Sequence, residues 1–156
     1  MNREQILERI MQKLGEERQQ LYHAYSTHLD ATNQASSAMT SRYDSTREEM
    51  GAVADAIAQK ITEIDELIVR IRSMPVSQGR IQLGAIALVA EGKHKYHIFI
   101  VPEGAGGREI SEGEIRIVTI APTSPIGRAL LRKQAGDEIE LNLPSGIRIL
   151  AILEVK

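Results

Sequence analysis

The chain contains no cysteine, which excludes disulfides, thiolate zinc sites and thiol nucleophiles. It has no tryptophan, four tyrosines and a single phenylalanine, Phe99. A surface that stacks single-stranded bases wants more aromatic side chains in one domain than this. No stretch approaches the roughly 18 apolar residues of a membrane span. The opening residues, MNREQILERI, are charged and amphipathic and lack the apolar segment of a signal peptide. A cytoplasmic protein is therefore expected. The net charge of −2 gives no general attraction to nucleic acid or to a membrane surface.

What is present divides into two unlike halves. The 156 residues suit one or two small domains. Residues 1–75 read as helical and carry nine basic and twelve acidic side chains; residues 76–156 read as β-rich and carry ten and nine. In the first half, Leu7, Ile10, Leu14, Leu21 and Ala24 repeat at spacings of three and four, with Glu17 as an interruption. Asp30–Ser41 is small, hydroxylated and nearly uncharged, which favours a turn. Met50, Val53, Ile57, Ile61, Ile64, Ile68 and Ile71 then form a second helical stripe, with Asp44–Ser73 as its bounds. Two helices of about 30 residues joined by a short turn predict an antiparallel coiled-coil hairpin about 45 Å long. If it pairs about a centre near residue 38, Glu17 faces Lys60 or Ile61, and with Lys60 either an ion pair or two solvated side chains would result. Pro75 ends the second helix, so the domain boundary is placed between 75 and 76.

In the second half, 81–90 and 95–101 are candidate strands joined by Glu91-Gly92-Lys93. Pro102–Gly113 reads as a Gly-rich loop and Glu114–Ala121 as a third strand. Ser124 is a natural N-cap, Pro125 suits the first helical position and Gly136 suits the residue that closes a helix. A helix of about three turns is expected between them. The last stretch predicts a hairpin turning at Pro144-Ser145-Gly146. Its apolar face would be Ile139, Leu141 and Leu143, continued by Ile147, Ile149, Ala151, Leu153 and Val155. Five strands and one short helix make a small α+β domain.

Catalytic chemistry finds little support. Glu103–Gly107 is glycine-rich, but a phosphate cradle needs a helix after the loop, and here a strand follows. His94 and His97 lie three apart on a strand and face opposite ways, while His23 and His28 are poorly spaced on a helix. No metal site, cofactor site or catalytic constellation is read, and the chain is not expected to be an enzyme. Arg128, Arg132 and Lys133 form a basic edge, which is either a solvated face near a helix C-terminus or a contact for an acidic partner.

The run SPIGRALLRKQAGD, Ser124–Asp137, follows a strand and precedes a hairpin around a Pro-x-Gly turn. In this it resembles the C-terminal domain of the Gre transcript-cleavage and elongation factors, GreA and GreB. The resemblance implies an FKBP-like fold for residues 76–156, and an N-terminal coiled-coil hairpin before it is also in the family's pattern. A proline isomerase is poorly supported, since Phe99 and Tyr96 are the only aromatics of that half. RYDSTREEMG, Arg42–Gly51, is similar to the segment that opens the second Gre helix and sets Tyr43 on the family's tyrosine.

That resemblance implies a partner, bacterial RNA polymerase, and a route, its secondary channel. The hairpin tip would enter the channel, with Ser37, Thr40, Arg42 and Tyr43 as the tip residues. The loop bearing the Ser-Pro pair would dock on the polymerase through Ser124, Pro125 and Arg128. Nucleic acid would be met only through the polymerase, and a monomer is expected. In the family an Asp and a Glu of a GDLxEN tip help to hold a catalytic Mg²⁺. In this chain those positions are Ser37 and Thr40, which supply no negative charge to a hard cation. Stimulation of transcript cleavage is therefore not expected, with Asp30 and Asp44 the nearest carboxylates that could replace the tip. The alternative is an adaptor whose hairpin binds a different protein.

Overall fold

The structure is a computed structural model and describes residues 2–35, 44–77 and 79–156. It divides into two compact units, Ile10–Val69, and Met1–Arg9 with Arg70–Lys156.

The first unit is built from two long helices, α1 (Arg3–Ala35) and α2 (Asp44–Arg72). Ile10, Leu14, Ala54, Ile61 and Leu67 are buried along it. Arg18 Nη1 donates to Asp65 at 2.5 Å, and the Thr32 hydroxyl lies 3.7 Å from the Met50 sulfur. As residue numbers rise along one helix they fall along the other, so the pair is antiparallel. Helix α1 takes in the first part of Asp30–Ser41, through Ala35, and the rest of that stretch, in which the turn was expected, lies outside the described residues. Within α1 the Thr32 hydroxyl donates back to the His28 carbonyl at 2.8 Å and so joins the helix rather than breaking it. The pairing is centred near residue 41, not 38. Residue 17 is therefore level with 65–66, about 9 Å along the axis from Lys60, and the Glu17–Lys60 pairing is out of register.

The second unit holds a six-stranded sheet: β1 (Ile86–Glu91), β2 (His94–Ile100), β3 (Glu109–Glu112), β4 (Ile115–Ile120), β5 (Glu138–Leu143) and β6 (Gly146–Val155). Its order is β3-β4-β2-β1-β6-β5. Only β2 and β4 are parallel; the other neighbours are antiparallel hairpins or returns. One short helix, α3 (Pro125–Leu130), covers one face. Ile126 and Ala129 of α3 pack on a core that includes Val89, Ile98, Ile100, Ile120, Leu141, Leu150 and Ile152. At the base of the helical segments, Arg3 Nη2 donates to the carbonyls of Met74 (3.0 Å) and Pro75 (2.9 Å). It thereby holds the segment just past the end of α2.

Strand β3 is an addition to the five strands expected. It is four residues long and sits between a Gly-rich loop and the Gly113 turn, too short to show a period of its own. Residues 81–85 are not strand: Ala85 N–H donates to Gln82 O at 2.9 Å, a tight turn before β1. Helix α3 is half the expected length. The chain leaves helical geometry at Leu131, and Arg132 takes a positive φ of 68°. The backbone beyond is claimed by Ile81, whose N–H donates to Lys133 O at 2.7 Å and whose carbonyl accepts from Arg132 N at 2.8 Å. Gly136 has the positive φ expected of it, but in the turn that enters β5.

Up to the bulge at Leu153 the face of β6 is also reversed, while Val155 beyond it packs on the core as expected. Leu150 and Ile152 are buried, whereas Ile147, Ile149 and Leu153 are exposed. The two-residue turn at Pro144-Ser145 pairs Leu143 with Gly146, and so Leu141 with Arg148 and Ile139 with Leu150. Cross-strand partners share a face, which puts Arg148 at the edge of the core. Its charge is met there by Glu91: Nε and Nη2 donate to the two carboxylate oxygens at 2.5 Å each. The Tyr96 hydroxyl donates to the same carboxylate at 3.2 Å.

Candidate docking site

The residues from Ala121 to Arg128 form a tight structure that begins with the serine. Ser124 Oγ accepts the Gly127 N–H at 3.0 Å and donates to Ala121 O at 2.8 Å. It is the N-cap of α3 in extended geometry, followed by proline at the first turn, where a missing N–H costs nothing. The helix backbone then rests directly on the segment before it. A Cβ added at Gly127 would lie 2.1 Å from the Ala121 carbonyl oxygen, so only glycine fits.

The Gly-rich loop of residues 102–108 meets the same segment from the other side. Thr119, fully buried, pins it: its hydroxyl accepts from Arg108 N at 2.9 Å and donates to Ala105 O at 2.8 Å. A Cβ at Gly106 would come within 2.7 Å of Ala121 N. Between the loop and α3 lies an open, mostly apolar recess of about 450 Å³ lined by Gly104, Gly106, Ile120, Ser124, Pro125 and Leu143, among others.

Ser124, Pro125 and Arg128 are thus brought together, with different roles open to them. The Ser124 hydroxyl is engaged inside the loop, whereas Pro125, which lines the recess, and Arg128, three residues further along α3, are exposed. Arg132 is exposed and Lys133 half-buried, so the basic edge continues past the end of α3. The glycines and Leu143 of the recess were not identified from the sequence. The signal was the glycine pair Gly106-Gly107, which permits close approach of backbones and was read only as a loop.

Ser37, Thr40, Arg42 and Tyr43 lie outside the described residues. Of the two nearby carboxylates, Asp30 is within α1 and Asp44 begins α2. The helical pairing sets residue 30 level with 52–53, about 12 Å along the axis from Asp44. Among the described residues, no group of three or more His, Asp or Glu is placed to hold a metal, and no helix is long and apolar enough to cross a membrane.

Comparison with known proteins places this geometry. Transcription elongation factor GreA of Brucella canis and that of Brucella abortus are each 34% identical to the chain over 101 residues. The match takes in 62% of this chain and spans 60% of each relative's length. Among solved structures, the GreA factor homolog 1 (Gfh1) protein of Thermus thermophilus is 20% identical, with 96% of this chain and 94% of that one covered, at a TM-score of 0.40. A GreA/GreB factor from Nitrosomonas europaea is 18% identical, with 70% and 92% covered, at 0.39. Residues 77–156, which contain the whole sheet, α3 and the recess, match the family described as transcription elongation factor, GreA/GreB, C-term. That match extends over more than half of the sequence, and the chain belongs to the GreA/GreB family of transcription elongation factors.

Proposed function

We propose that the chain is a cytoplasmic regulator of transcription that binds bacterial RNA polymerase through the secondary channel and does not stimulate transcript cleavage. The observation that carries the docking half is the Ser124-capped turn. It fixes Pro125 at an apolar recess, with Arg128 exposed three residues further along α3, on a domain of the GreA/GreB family. The cap holds the proline ring in one place before a partner arrives, so little ordering entropy opposes contact. Arg128 adds a charge that an acidic surface would complement.

The cleavage half rests on the hairpin. Helix α1 has 33 residues and extends about 50 Å, enough for a probe that reaches into a channel. The positions that carry acid in the family's tip are Ser37 and Thr40. A hydroxyl offers a hard cation a dipole where a carboxylate offers a charge. In a water-poor channel each missing charge weakens metal binding strongly, and each loss of about 1.4 kcal/mol is tenfold in rate. Asp30 and Asp44, about 12 Å apart along the helix axis, are the candidate replacements. The test is a cleavage assay on a stalled, backtracked elongation complex. The unmodified chain is expected to leave the RNA uncleaved above background. Strong stimulation would contradict the reading and point to Asp30 or Asp44 as the ligand.

A further inference from the structure

Strand β6 carries an apolar row that nothing in its own unit covers. Ile147, Ile149 and Leu153 are 66%, 50% and 42% exposed, three of the eight large exposed apolar side chains among the described residues. They lie on the face of the sheet opposite α3, because the α3 side takes Leu150 and Ile152. Ile149 is opposite Glu140 on β5, Ala151 is opposite Glu138, and Ile147 is opposite Asn142. Directly opposed residues share a face, so two exposed carboxylates flank the row on one side. Glu154 stands at its end, paired to Lys156 at 3.0 Å. Leu153 falls at a β-bulge, where the pairing with β1 shifts register. The bulge adds local twist at that end of the strand.

We propose that this face docks an amphipathic helix with a basic flank. The acidic border selects the occupant. A membrane with anionic lipids and a nucleic acid are both repelled by Glu138 and Glu140 along the β5 side, while Glu154 is already met by Lys156. A symmetric contact with a second copy through the same patch brings those carboxylates towards their own counterparts. A helix with Lys or Arg beside its apolar stripe meets attraction on the rim and apolar burial in the centre. The dimensions agree. Ile147 to Leu153 spans about 20 Å of strand, the length of about 14 helical residues. The site is on the other face of the sheet from Pro125 and is independent of the polymerase-docking proposal.

The test uses the full chain labelled with ¹⁵N and two synthetic amphipathic peptides of one pattern, one of Leu and Lys, the other of Leu and Glu. The Leu/Lys peptide is expected to shift the amides of residues 138–142 and 147–153, and the Leu/Glu peptide to leave them unmoved. Ile149→Lys should weaken Leu/Lys binding at least about tenfold, equivalent to about 1.4 kcal/mol. Glu140→Lys should weaken it several-fold, and Pro125→Ala should not change it. If Ile149→Lys fails to fold, Ile147→Lys at the more exposed position takes its place. Three results would overturn the proposal: shifts centred elsewhere, affinity unchanged by these lysines, or self-association of the unliganded chain that Ile149→Lys abolishes.

Discussion

Replacing Arg148 by alanine removes two charge-assisted hydrogen bonds from Glu91 at once, and the consequence can be worked from the geometry. Both bonds are 2.5 Å long and bidentate, the strong arrangement for this pair. A hydrogen bond to a charged group contributes about 1.5–3 kcal/mol. Solvent reduces this, because the Arg148 side chain is 36% exposed and that of Glu91 29%; a fully exposed bridge contributes only about 0.2–1 kcal/mol. Between those limits a double-mutant cycle of Arg148→Ala with Glu91→Gln should give a coupling of about 1 kcal/mol near neutral pH. Arg148→Ala alone should cost more, about 2 kcal/mol, because it leaves a half-buried carboxylate without its main partner.

The pH dependence has a definite sign. The hydrogen bond from Arg148 holds the Glu91 carboxyl below its ordinary range, against the opposing effect of burial. The stabilisation is therefore present above the unfolded pKa of about 4.3 and is lost as pH falls through the lower folded value. Urea unfolding read from the amide signals of the sheet is the suitable assay, since the chain has two units and a global signal would mix them. A coupling below about 0.3 kcal/mol, or one that stays constant as the solution is acidified, would refute this account of how Arg148 is accommodated beside the core.

The other expectations are simpler. Gly127→Ala should unfold or severely destabilise the sheet unit, by about 2 kcal/mol or more, because its methyl would overlap the Ala121 carbonyl; a melting curve checks it. Ser124→Ala should cost about 1 kcal/mol through loss of the cap and leave the fold recognisable by circular dichroism. Arg18→Ala, which breaks a bridge to Asp65 with both side chains more than 40% exposed, should leave the melting curve of the hairpin nearly unchanged, because solvent screens so open a pair. Ser37→Asp combined with Thr40→Glu should gain measurable transcript cleavage over the unmodified chain. No gain would place the tip acids at other positions than the Tyr43 alignment gives.

The outcome along the chain follows how much each segment's own pattern decides. Helix α2 was legible almost to the residue, because its stripe is continuous and Pro75 follows it. The cap of α3 was legible because Ser-Pro has a local mechanism, but the length of α3 was not. Its end is set by backbone hydrogen bonds to Ile81, some 50 residues earlier, and no local rule contains them. Strand β6 misled because residues 147–155 are apolar at both parities, so alternation alone cannot choose a face. The turn could have chosen it. A two-residue loop at Pro144-Ser145 forces Leu150 opposite Ile139, at the cost of placing Arg148 on the core side. The compensating partner is Glu91, 57 positions away. Recognition of the family came from the densest local chemistry in the chain, the Ser124–Asp137 run, and the recess beside it needed the fold to bring residues 104–107 alongside.

The central claim is that the loop of Ser124, Pro125 and Arg128 docks the chain on RNA polymerase, and it is tested most directly by the affinity of the full chain for bacterial core polymerase. The account predicts a saturable complex that Pro125→Ala with Arg128→Glu weakens at least about tenfold, or about 1.4 kcal/mol, while circular dichroism stays unchanged. Absence of a complex, or a complex equally tight with the doubly substituted chain, would contradict it.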